Sequence, residues 1–161
     1  MPTSYRLFVQ KIRGTTTELM TVDELETYLG IVFPLRHRAA LLDPTDPIHE
    51  ATDFLVPSSP YESLDFAGVH RFLHHSEHNA WPSFLIAIAS NGCGDYFAYD
   101  LRTSDYRVIY IDPDLSVTEN LESEDRLEYP TFEVWYAAKV QRYRSKGVEK
   151  QQGGRKCVGL W

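Results

Sequence analysis

Apolar positions recur along this chain in two rhythms, and the change from one to the other divides it. In TVDELETYLG, residues 21–30, Val22, Leu25 and Leu29 share one face of a helix. Thr21 followed by Glu24 forms a capping box, Asp23 suits the positive helix end, and Gly30 stops the element. After a short IVF, Pro34 fits the first turn of a second helix that runs to about Leu42, where Asp43-Pro44 ends it. The stretch DPTDPIHEATDFLVPSSPYES holds four prolines among Asp and Ser. It predicts an ordered, irregular connection in which DFLV pairs as a short strand. Helical spacing returns over 65–75, where Phe66, Val69, Phe72 and Leu73 predict a third helix.

From residue 84 the rhythm shortens. FLIAIAS is a buried-strand run, NGCG a turn, DYFAYDL a strand, RTSD a second turn and YRVIYID a third strand, which together predict an antiparallel meander. Alternation along 95–101 sets Tyr96, Ala98 and Asp100 on one face and Asp95, Phe97, Tyr99 and Leu101 on the other. The second set carries more apolar area and is the predicted core face. Residues 112–133 hold eight acids and one base, with Thr118 able to cap a short helix over 119–121. A final helix is expected after Pro130-Thr131, with Phe132, Trp135, Tyr136, Val140 and Tyr143 as its stripe and an end near Gly147. The fold class that results is α+β, with N-terminal helices packed on a twisted antiparallel sheet and a helix at the C-terminal end.

Length and composition then narrow the picture. A chain of 161 residues with 43% hydrophobic and 13% aromatic content can bury a core without metals or disulfides, and one domain over residues 1–147 is expected. The longest uninterrupted apolar run, residues 84–89, is far short of a membrane span, and residues 1–14 lack the apolar stretch of a secretory signal. The expected location is the cytoplasm, which suits the two cysteines, Cys93 and Cys157, in no metal or redox spacing. Residues 1–144 carry 12 basic and 22 acidic side chains, against four and one in 145–161. The body is thus strongly acidic, and residues 148–161 read as a basic, flexible tail. An acidic body repels phosphate backbones, so nucleic acid and membrane are unexpected ligands and a basic protein is the natural partner.

Asn91-Gly92-Cys93-Gly94 lacks both the spacing and the following helix of a phosphate cradle, so Asn91, Gly92 and Gly94 are expected to shape a hairpin turn. His70, His74 and His78 at i, i+4, i+8 align on one helix face, where they form either a polar outer surface or a metal site; no metal or other cofactor is expected. Asp95, Asp100, Asp112 and Asp114 sit at strand ends, where Asp is routinely a turn former, and no base stands at a telling spacing from them. Ser90 and Cys93 have no nucleophile context, so no catalytic residue is expected. One positive signal remains: Tyr96 and Asp100, with Asp112, Asp114 and Glu119 beyond the next strand, compose an acidic surface with an aromatic anchor, a combination that attracts basic partners.

The order TVDELETYLGIVFP, RAALLDP, TDFLVP, then WPSFLIAIASNGCGDYFAYDLR and YRVIYIDPD with a short acidic helix resembles the SUKH superfamily, the Smi/Knr-type domain. The resemblance spans residues 20–143 and is most specific over 84–114. It implies helices on an antiparallel sheet and a non-catalytic role. In bacterial members that role is immunity, the neutralisation of a nuclease or deaminase toxin domain; fungal members are regulatory hubs in cell-wall signalling. The second helix departs from the family pattern: His37 and Ala40 stand at large apolar positions, and Asp43-Pro44 replaces an Asn-Gly-Gly-like turn.

Overall fold

A computed structural model of the protein describes residues 19–75 and 80–149. The helices are α1 (Val22–Leu29), α2 (Leu35–Leu42), α3 (Ile48–Ala51), α4 (Phe66–His75), α5 (Val117–Glu122) and α6 (Phe132–Glu149). The strands are β1 (Asp53–Phe54), β2 (Leu85–Ser90), β3 (Tyr96–Asp100), β4 (Arg107–Ile111) and β5 (Glu128–Tyr129). They pair antiparallel in the order β1-β2-β3-β4-β5, a five-stranded meander. The α+β architecture is therefore as the residue pattern predicts, with DFLV contributing β1 and the final helix starting at Phe132. The tail from Lys150 onward, with Cys157, lies outside the described residues, as does His78. Among the described residues no helix is long and apolar enough to cross a membrane.

Local chemistry explains the element ends. The Thr21 hydroxyl accepts from the Glu24 amide while the Glu24 carboxylate accepts from the Thr21 amide at 2.7 Å, and Gly30 takes the left-handed conformation at φ 69° that closes α1. The NGCG corner is a hairpin connection and no helix follows it. The Asn91 carbonyl Oδ1 accepts from the Cys93 amide at 2.8 Å, and Gly92 and Gly94 hold φ of 79° and 99°. The positive φ is what requires glycine at Gly92; a Cβ there would also displace the exposed Asp53 carboxylate, 2.7 Å away. The cap of α5 differs from expectation: Ser116, not Thr118, is the N-cap, and Glu119 closes the box with it.

Both faces of the sheet are covered. On one, Phe97 and Tyr99 meet Trp135 and Phe132 of α6 at ring distances of 5.7 and 6.2 Å. Into the same aromatic layer α2 inserts His37, which is fully buried, stacks on Phe132 at 4.5 Å and has its Nδ1 2.6 Å from the Tyr99 hydroxyl. The imidazole thus fills the volume of a large apolar residue, and burial pushes its pKa down to about 3, so it is neutral at physiological pH. The other face carries Tyr96, Ala98 and Asp100, which alternation alone assigns to solvent. Here the structure corrects that expectation: Ala98 and Asp100 are fully buried and Tyr96 is half-buried, with Trp81 packed on Tyr96, α4 docked on β2, and Arg102 and Arg107 closing over Asp100.

Candidate functional site

A groove of about 580 Å³ opens where α4, the β2–β3 corner and the β4–α5 turn converge. Phe72 and Leu73 form one wall, Trp81 and Tyr96 the floor, and the turn from Ile111 to Thr118 the other wall. The Trp81 amide donates to the Leu73 carbonyl at 3.0 Å, tying the segment after α4 to the helix. The Trp81 ring meets that of Tyr96 edge-on at 5.8 Å. Phe72 is 56% exposed and Leu115 45%, so the groove presents apolar surface to solvent.

The acidic wall owes its shape to Asn120, a buried amide in α5. Asn120 Oδ1 accepts from the Asp112 amide at 2.8 Å, and its Nδ2 donates to the carbonyls of Asp112, Leu115 and Ser116 at 2.9, 3.3 and 3.1 Å. Asp112 Oδ1 accepts from the Asp114 amide at 2.9 Å, an Asx turn that projects Asp114 outward. Asp114 is exposed and Asp112 half-buried, and neither is ion-paired with a described residue. No Lys or Arg lines the groove among the described residues.

Three of the five predicted surface residues, Tyr96, Asp112 and Asp114, thus come together in one groove. Glu119 is exposed at its edge, beside the lining residue Thr118, and spends its carboxylate on the Ser116 amide at 2.8 Å. The Ser116 hydroxyl and then that amide bond hold its carboxyl below the usual range. Asp100 is a correction. Its side chain is fully buried at the opposite end of β3, where Oδ1 accepts from Arg102 Nε and Oδ2 from Arg102 Nη2 and Arg107 Nη2, each at 2.9 Å. Burial raises its pKa, but these bonds and the Arg102 amide outweigh it and hold the carboxyl at about 2. A carboxylate so committed is a structural ion pair.

Phe72, Trp81 and Leu115 belong to the groove and escape the residue pattern. Phe72 reads as part of the apolar stripe of α4, but it lies about 120° around the helix from Phe66, and the buried residues are Phe66, Ala67, Val69 and Leu73. A helical wheel separates it; a spacing count does not. On the same helix the His70 and His74 rings approach to 4.1 Å, each with one buried ring nitrogen lacking a partner. Burial, then the neighbouring His74 and His75, lowers the His70 pKa to about 4. Among the described residues no group of three or more His, Cys, Asp or Glu is placed to hold a metal ion.

Residues 1–138 match the model of the SMI1 / KNR4 family (SUKH-1). No curated protein and no solved structure matches the chain.

Proposed function

Because the chain belongs to the SMI1 / KNR4 family (SUKH-1), we propose that it is a non-catalytic binding protein of the immunity type, which neutralises a bacterial toxin domain in the cytoplasm by covering its basic substrate cleft. The observation that carries this reading is the groove itself, which gathers Tyr96, Asp112 and Asp114 around Trp81 with no described basic residue on its walls. An aromatic anchor set in a partly desolvated hollow supplies the kind of contact that dominates protein–protein affinity, and an acidic rim raises the encounter rate with a basic partner. Occlusion needs no bond to be made or broken, and the residues at the groove compose no nucleophile–base pair.

The test is co-expression with the toxin domain encoded beside this gene. Rescue of growth and a co-purifying complex are expected from the native chain, and both should be lost from an Asp112→Lys/Asp114→Lys variant that still folds. Failure of the native chain to rescue or co-purify, or full rescue by the doubly reversed variant, would overturn the reading.

A further inference from the structure

Taking the groove as the docking site, we propose that its occupant is a single arginine side chain of the partner, its guanidinium lying against the aromatic floor and facing Asp112 and Asp114. The molecule itself uses this arrangement twice. Arg36 lies over the Tyr136 ring, 4.0 Å from its centroid, and pairs with the buried Asp46. Arg102 lies over the Phe84 ring at 4.3 Å and pairs with Asp100. In both, a planar cation stacks on a ring face while its edge meets a carboxylate, the geometry in which arginine outperforms lysine. The groove repeats the ring-plus-aspartate pairing with Phe72, Trp81 and Tyr96 on one side and Asp112 and Asp114 on the other, and no described side chain of the chain itself supplies a cation there.

Size and charge agree. A hollow of about 580 Å³ falls within the range of roughly 300–1,000 Å³ typical of sites that enclose a small ligand, enough for one long side chain and the backbone that carries it. A purely apolar side chain would leave Asp112 and Asp114 uncompensated as the partner excluded water, whereas a guanidinium offers five donors to meet them. The Asx turn and the Asn120 clamp hold the carboxylates in place before the partner arrives.

The experiment titrates the full chain, followed by two-dimensional amide NMR, with N-acetyl-arginine methylamide, its neutral isostere N-acetyl-citrulline methylamide, and the lysine analogue. Saturable shifts are expected at Gly94, Tyr96 and residues 112–118, with the arginine probe binding at least about fivefold more tightly than citrulline and more tightly than lysine. Asp112→Asn/Asp114→Asn, which keeps an oxygen for the Asx turn, should weaken arginine binding about fivefold at unchanged thermal stability. Phe72→Ala should weaken it with the charge intact. Equal binding of arginine and citrulline, preference for lysine, or arginine shifts confined to other surfaces would each overturn the proposal. A toxin that co-purifies while the probes fail to discriminate would remove the arginine and leave the docking reading; discrimination without a toxin complex would do the reverse.

Discussion

The two ends of the β3–β4 hairpin carry the same chemistry in opposite states. At one end Asp100 is fully buried and three of the hydrogen bonds to its carboxylate come from Arg102 and Arg107 at 2.9 Å. At the other, Asp112 and Asp114 stand on the wall of the groove with no ion pair to a described residue. What separates them is register. Asp100 sits directly opposite Arg107 across the ladder, and Arg102 follows it by two residues, so the charge is met inside the hairpin. Asp112 follows Ile111, the ladder partner of Tyr96, and no Lys or Arg among the described residues lines the groove there. One end therefore contributes stability, and the other keeps its charge unpaired among the described residues, where the proposed partner would meet it.

The largest expected contrast is thermodynamic. Asp100→Ala should cost about 3 kcal/mol, at the low end for breaking a buried pair because Arg102 and Arg107 remain partly solvated, whereas Asp114→Ala should stay within about 0.5 kcal/mol. Chemical denaturation measures both, and equal losses would erase the contrast. Next in size is binding: Asp114→Lys, which leaves the Asx turn of Asp112 intact, should weaken the proposed toxin complex about tenfold by calorimetry with the melting temperature held. Asp100→Asn should leave the affinity unchanged once folded.

Acid separates the ends further. The Asp100 carboxyl titrates near 2 in the fold against 3.8 when unperturbed, so the unfolded chain takes up its proton first. Its contribution is complete above about pH 4 and is lost as pH falls towards 2; Asp100→Asn should flatten that limb of the stability curve. His37 acts earlier, because a folded pKa of about 3 against 6.5 makes stability fall as soon as pH drops below 6.5. A His37→Leu variant should lose that slope, at most about 1.4 kcal/mol per pH unit. Smallest is the effect of salt: raising ionic strength should slow the proposed association with a basic toxin about tenfold and barely move the melting temperature.

Much of this was legible where local chemistry decides the outcome. The Thr21/Glu24 box, the positive-φ glycines of NGCG and the β-forming run into β2 act within a few residues, and each is found as the residues predict. The convergence of Tyr96 with Asp112 and Asp114 also follows from antiparallel pairing, which sets Tyr96 opposite Ile111. Alternation fails at Asp100 because it does not count ion pairs: Arg102 and Arg107 close over the carboxylate at that end of β3, while Trp81 packs on Tyr96 at the other. Strands of two residues, β1 and β5, carry too little pattern to be read alone: DFLV marks β1, and nothing in the residue pattern marks β5. The α5 cap falls at Ser116 and not at Thr118 because Ser116 and Glu119, three residues apart, close a capping box, a local signal that the residues themselves carry.

That asparagine has a consequence for how the groove could be retuned. All four of its bonds go to main-chain atoms of residues 112, 115 and 116, so it fixes the path of the turn and is indifferent to the side chains the turn displays. Shape and chemistry are thereby inherited separately: Asp114, Leu115 and Thr118 can be exchanged to match a new partner while the wall that presents them keeps its outline.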